Sequence, residues 1–175
     1  DTVKAFRLAL ESAEQEDSYG INLLGWCYLY GVGTEKDLQK AQGYFNLAIQ
    51  KGNGLGYMNL AQIYSDRGIA EKILEYEMKG IKMGSGNFGM LSLYYEHGIG
   101  CQPDTVKQLH YAQLGEKYKD PLATFLLGEW YMKKSIEHPT YYQKAIDYYH
   151  KADKLGNIDA GKVLGYHYIE TDSFY

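Results

Sequence analysis

The chain has 175 residues, 45% of them hydrophobic, enough for one domain with a sizeable core and ordinary for a water-soluble globular protein. Eighteen Lys and Arg against 22 Asp and Glu leave a net charge of −4, with no basic block able to neutralise a run of phosphates, so nucleic acid is not an expected partner. The longest apolar stretch, Leu23 to Tyr30, is broken by Gly25 and is far shorter than the ~20 residues that cross a bilayer, so no direct membrane insertion is expected.

The two cysteines, Cys27 and Cys101, have no partner at metal-ligand spacing. Cys27 reads as buried filler in a helix and Cys101 as a loop residue. The chain begins at Asp1 without a basic-then-apolar leader, which leaves a removed leader or a further domain open. The compartment stays open too, with the cytoplasm ahead of a bacterial secreted or periplasmic setting.

In chain order, the first element is a helix over Val3 to Ala13, carrying Lys4-Ala5. Then a five-residue pattern begins to recur. Leu24-Gly25-Trp26-Cys27-Tyr28 returns as Leu60-Ala61-Gln62-Ile63-Tyr64, Leu91-Ser92-Leu93-Tyr94-Tyr95, Leu127-Gly128-Glu129-Trp130-Tyr131 and Leu164-Gly165-Tyr166-His167-Tyr168. Leu and Tyr stand at i and i+4 on one helical face, and the small residue beside them permits a neighbouring helix to come close. Successive leucines lie 36, 31, 36 and 37 residues apart, a period that signals a repeat architecture.

Each copy is followed by the makings of a turn and a second helix. After Tyr28 come Gly31-Val32-Gly33, then Asp37, Lys40-Ala41, Tyr44, Ala48 and Gly52; after Tyr95 come Gly98, Gly100, Asp104, Lys107, Tyr111 and Gly115. The glycines supply left-handed backbone that ends a helix, and Asp37 and Asp104 stand where a carboxylate caps the next one. In the second hairpin Asp66-Arg67-Gly68 replaces the glycine loop, and in the fourth Lys133 to Thr140 does. Pro103, Pro121 and Pro139 fall in loops or a first helical turn, where proline is tolerated.

These elements predict an all-α, right-handed α-solenoid of antiparallel helix-turn-helix repeats, with about four full hairpins and partial repeats at both ends. As one repeat domain over 1–175, its expected parts are a second helix of a preceding repeat (1–17), hairpins at 18–53, 54–85, 86–120 and 121–157, and a first helix with a tail (158–175). The Leu-Gly-x-x-Tyr-x-x-Gly-x-Gly run with Asp-x-x-Lys-Ala, Tyr-Phe, Ala and a closing Gly resembles the Sel-one-like repeat family, relatives of tetratricopeptide repeats. Tetratricopeptide repeats run about 34 residues and lack the inserted glycine loop. The resemblance implies a non-catalytic adaptor or scaffold, or alternatively a regulatory or accessory repeat region of a larger enzyme or signalling protein.

Catalytic and cofactor motifs do not fit. Gly84-Ser85-Gly86-Asn87-Phe88-Gly89 has dinucleotide spacing, but Tyr76 to Met83 before it reads as a helix rather than the strand that fingerprint needs. Gly156 to Lys162 nearly fits a phosphate loop, yet Val163 stands where a Mg²⁺-binding hydroxyl belongs. The five histidines form no His-Glu-x-x-His, and neither Ser-x-x-Lys nor Gly-x-Ser-x-Gly occurs. No catalytic residue, metal or cofactor is expected. Most of the 19 tyrosines read as ring filler between hairpins.

Binding is expected on a concave face lined by first helices, with the residues flanking the repeated core as contacts: Asn22, Trp26, Leu29, Met58, Gln62, Leu93, Glu96, Phe125, Glu129, Met132 and Tyr166. Large rings and Met are what interface cores favour. The set contains no Lys or Arg, so the expected occupant is a protein or peptide segment of neutral to basic character. The repeat phase at the two ends predicts that Phe6, Leu10, Val163 and Leu164 lack a natural neighbour on one side and are covered by another chain or by flanking sequence.

Overall fold

The computed structural model describes residues 1–172, with side chains through Ile169. Among the described residues there are helices and connecting turns and no strand. The fold class is all-α, of the helical-repeat solenoid type, and the residues fall into two compact units, Asp1–Gly86 and Asn87–Tyr175.

The first unit holds α1 (Thr2–Glu14), α2 (Ser18–Tyr30), α3 (Leu38–Gln50), α4 (Leu55–Asp66) and α5 (Ala70–Lys82). Consecutive helices pack on one another, α2 with α3 and α4 with α5 most extensively. Gly25 and Phe45 show why α2 and α3 lie so close: a Cβ on Gly25 would stand 2.7 Å from the Phe45 ring. Phe45 is fully buried with Leu29, Ala41, Leu60 and Ile63, and each of the four larger side chains contributes about 1.5–3 kcal/mol through burial. Phe6 of α1 meets Tyr28 edge-on with ring centroids 5.6 Å apart.

The second unit holds α6 (Phe88–His97), α7 (Thr105–Lys117), α8 (Pro121–Ser135), α9 (Tyr141–Lys154) and α10 (Ile158–Asp172). One buried cluster in it joins Ala145, Ile146, Tyr149, Ala152, Ala160 and Leu164. Tyr149 is 1% exposed and lies under Gly128, whose Cβ would meet its ring at 2.7 Å.

The same local devices recur in both units. Asp37 and Asp104 cap α3 and α7 through backbone N–H groups of Gln39, Lys40 and Lys107, and Gly31 and Gly98 end α2 and α6 in left-handed conformation. Each second helix closes by one six-to-one hydrogen bond: Asp17 to Ser12, Asn53 to Ala48, Ser85 to Gly80, Asp120 to Gly115 and Asn157 to Ala152, the Schellman pattern. The residue before each of these donors has positive φ. It is Gly52, Gly84 and Gly156 at three of them, but Glu16 and Lys119 (both φ 60) at the other two.

A further repeat lies across each hairpin. Tyr28 stacks on Tyr44, Tyr64 on Tyr76, Tyr95 on Tyr111 and Tyr131 on Tyr148, with interplanar angles of 4°, 9°, 1° and 8°. Lys40, Lys107 and Lys144 sit over the first-helix rings at 5.1, 5.1 and 5.6 Å, a cation–π contact worth ~0.5–1 kcal/mol at an exposed site. Burial, followed by the neighbouring phenol, raises the hydroxyl pKa of Tyr76, Tyr95 and Tyr148. These tyrosines are structural, as the sequence predicts for most of them.

At the two ends Leu164 departs from its expectation, while Phe6, Leu10 and Val163 are half-buried. Phe6 and Leu10 pack on the cluster of Ala9, Leu24 and Cys27, Leu164 is buried and Val163 packs beside it. The exposed apolar side chains are Val3 and Leu8 on α1 and Ile158, Tyr166, Tyr168 and Ile169 on α10. Helical side chains on opposite sides of one element have opposite fates, and the repeat phase alone does not separate them.

Candidate functional site

Two concavities, one in each unit, contain five of the eleven sequence-predicted contact residues. In the first unit α2 and α4 run side by side and enclose an open groove of about 480 Å³, lined by Tyr19, Asn22, Leu23, Trp26, Leu55, Met58 and Asn59. None of these side chains is charged. Tyr19, Leu23, Trp26 and Tyr30 fall at i, i+4, i+7 and i+11, one face of α2, and all four are exposed, Tyr19 at 67% and Trp26 at 39%. Trp26 and Tyr30 lie against each other with centroids 4.9 Å apart. On the groove wall Asn59 Nδ2 donates to Asn22 Oδ1 at 2.9 Å.

Of the predicted residues in this unit, Asn22, Trp26 and Met58 are brought together here. Gln62 is exposed on α4 and donates to Asp66 of the same helix at 2.8 Å. Leu29 is corrected: it is 1% exposed, packed with Phe45 and Ile63 in the core, and unavailable to a ligand. Tyr19, Leu23, Leu55 and Asn59 are groove residues that sequence reasoning missed. The spacing of Tyr19, Leu23 and Tyr30 relative to Trp26 was the available signal.

In the second unit a concavity of about 430 Å³ is lined by Glu96 of α6, Thr105 and Gln108 of α7, and Leu126, Glu129, Trp130, Lys133 and Lys134 of α8. Glu129 Oε1 accepts a hydrogen bond from the Tyr149 hydroxyl at 2.6 Å; burial first, and the carboxylate second, raise the Tyr149 pKa far above the usual phenol range. Glu96 and Glu129 are thus brought together. Leu93 is half-buried on α6, whereas Phe125 and Met132 turn partly inward onto the Tyr149 cluster, Phe125 with its centroid 5.7 Å from that of Tyr149. Tyr166, on α10, is 71% exposed and lines neither concavity. Lys133 and Lys134 also line it, so this concavity carries both signs of charge.

The rest of the described surface offers little chemistry. Among the described residues no three His, Cys, Asp or Glu converge as metal ligands, and no helix is long and apolar enough to cross a membrane. Cys27 is buried in α2 and Cys101 half-buried in a loop, both as free thiols, and burial raises the Cys27 pKa, which disfavours the reactive thiolate. Gly84 to Gly89 follows α5 and Gly156 to Lys162 follows α9, so both glycine motifs close helices.

With this geometry in place, the comparison with known proteins is decisive for the family. The family model described as Sel1 repeat matches residues 1–17, 18–53, 89–115 and 121–157. The chain belongs to the Sel1 repeat family. Its structure is similar to that of a Sel1 repeat protein from Oxalobacter formigenes, with TM-score 0.80 and 22% identity over 94% of this chain and 69% of that one. It is also similar to a protective antigen of uropathogenic Escherichia coli displaying an SLR fold, with TM-score 0.69 and 24% identity over 91% of this chain and 35% of that one. At these identities the likeness is one of fold. A sel1-like repeat-containing protein of Acanthamoeba polyphaga mimivirus is 26% identical over 106 residues, 59% of this chain and 20% of that protein. This Sel1 chain therefore spans about a fifth of that relative.

Proposed function

We propose that this Sel1 repeat chain is a non-catalytic protein-interaction scaffold that holds a protein or peptide segment on the exposed faces of its first helices. Sel1 repeats are generally protein-interaction modules. The observation that carries the reading is the uncharged α2–α4 groove beside the exposed Tyr19, Leu23, Trp26, Tyr30 stripe. Such a face leaves large rings in water, whereas interface cores gather aromatic side chains and Met.

The test compares proteins captured by the intact chain with those captured by Trp26→Ala, Met58→Ala and a control, Leu47→Ala, on the second helix α3. A partner taken forward in purified form loses at least ~2 kcal/mol of binding on Trp26→Ala, measured by calorimetry, as a central anchor does. The control binds normally and all variants keep wild-type helical circular dichroism. Normal binding by both groove variants, with loss on Leu47→Ala, overturns the proposal.

A further inference from the structure

Positive charge collects in the second unit at a place that belongs to the ends of its second helices. Where the C-terminal ends of α7 and α9 meet the start of α8 there is a concavity of about 380 Å³, lined by Lys117, Lys119, Lys151 and Lys154 with a single carboxylate, Glu116. Lys151 is bonded to Glu116. The other ion pairs of this unit engage Lys107, Lys134 and Lys162, and among the described residues Lys117, Lys119 and Lys154 have no carboxylate partner. In a chain whose net charge is −4 this is a local surplus of cations, and a concave wall focuses its field on an approaching anion.

Helix dipoles account for part of the surplus. Cations favour a helix C-terminus, which suits Lys117 at the end of α7 and Lys154 at the end of α9. Lys119 lies beyond α7 and takes φ 60, the left-handed conformation that Gly52, Gly84 and Gly156 supply at the matching joints and that glycine adopts without steric cost. The other non-glycine at such a joint, Glu16, has a use for its side chain, which accepts a hydrogen bond from Lys51 at 2.7 Å. Lys119 has no comparable partner among the described residues, yet the backbone strain is kept and its ammonium group lines the concavity. Strain without an internal return marks a position held for function.

The lining also narrows the anion. It contains no arginine fork, and the N–H groups of Leu122 and Ala123 at the start of α8 are taken by Asp120, so a lone phosphate finds only flexible point charges. A lipid surface is too flat to fill a concavity, and Leu155, the one apolar side chain of the lining, is half-buried rather than free to enter a bilayer. Carboxylates spaced along a flexible chain reach several separate ammonium groups at once.

We infer that the concavity between the ends of α7 and α9 binds an acidic, Asp- and Glu-rich segment of a partner protein, with Lys117, Lys119 and Lys154 as its ion-pair contacts. This site is separate from the α2–α4 groove, and the two are tested independently.

The test titrates the intact chain into a labelled dodecapeptide of alternating Glu and Gly with blocked termini, and into the same peptide with Gln in place of Glu, and follows fluorescence polarisation. The Glu peptide is expected to bind at least about tenfold more tightly than the Gln peptide and to weaken as salt rises from about 50 to about 200 mM. Lys119→Gly weakens it about threefold, and Lys117→Gln combined with Lys154→Gln about tenfold. Lys36→Gln combined with Lys82→Gln, an equal change of charge in the first unit, weakens it less than about twofold. Glycine suits the backbone at position 119, so in Lys119→Gly stability rises while binding falls, a divergence that a purely structural lysine does not produce. Equal affinity for the two peptides, or equal losses in the two double variants, overturns the inference and leaves the groove reading untouched. So does displacement of the Glu peptide by inorganic phosphate beyond that caused by sodium chloride at the same ionic strength, which marks a phosphate site. Binding of phosphatidylserine vesicles through the same lysines, without binding of the Glu peptide, marks a membrane contact and overturns it as well.

Discussion

The Tyr149 hydroxyl donates to Glu129 Oε1 at 2.6 Å, tying the centre of the second unit's core to a carboxylate on its surface. Removing either partner has unequal effects. In Tyr149→Phe the Glu129 carboxylate is rehydrated, so unfolding by urea registers a loss of about 1 kcal/mol. In Glu129→Leu the buried phenol has lost its acceptor, and the loss is about 1–3 kcal/mol. Glu129→Gln, which keeps a carbonyl acceptor, recovers most of it. A double-mutant cycle returning no coupling between the two positions contradicts this account.

Glycine at two positions of adjacent helices has opposite value. Gly25 sits where a Cβ would stand 2.7 Å from the buried Phe45 ring, whereas a Cβ on Gly43, in the middle of α3, meets nothing within 4 Å. Gly25→Ala is therefore expected to cost about 1–3 kcal/mol by overpacking. Gly43→Ala gains roughly 0.5–1 kcal/mol through helix propensity. Denaturant midpoints of the two single variants move in opposite directions.

Lys119 occupies a left-handed position with φ 60, where an L side chain costs ~1–2 kcal/mol. Lys119→Gly removes that cost at the expense of greater freedom in the unfolded chain. The expected net gain is about 0.5–1 kcal/mol, visible as a higher thermal midpoint. A lower midpoint shows that the lysine itself is needed there.

Asp17 and Asp104 cap helices, and both carboxyl pKa values are lowered below the ordinary 3.8, chiefly by the backbone N–H groups of Gly20 and Lys107 respectively. A depressed folded-state pKa stabilises the fold at pH above the unfolded value, and that contribution fades as pH falls through the folded one. Stability thus declines below about pH 4, partly through these caps. Asp104→Asn keeps a good capping side chain without a titrating group. Its stability, followed by denaturant titration, should fall less steeply between pH 4 and pH 2 than that of the wild type.

The hairpins were legible in the sequence because their determinants are local and repeated. Leu24 with Tyr28, the aspartates at 37 and 104 and the glycines at 31, 52 and 98 each act within one turn or loop, and every copy restates the rule. What was not legible depends on how one helix rotates against another. Tyr148 and Tyr149 are adjacent and chemically identical, yet about 100° of helical rotation sends the first onto Tyr131 and the second into the core. Leu29 and Glu96 occupy matching positions of different copies, one buried and one exposed, and no spacing rule separates them. Glu16 and Lys119 take the left-handed conformation without glycine, so composition gave no sign of their role.

The five six-to-one closures give the fold a natural unit of growth. Each joint needs only one residue with positive φ and one backbone bond to the preceding second helix, and even Glu16 and Lys119 satisfy it. A whole hairpin inserted or removed at such a joint keeps the hydrogen-bond pattern on both sides of the cut. Changes in array length by multiples of a hairpin are therefore structurally cheap, whereas an insertion of a few residues inside one helix turns every later side chain to another face.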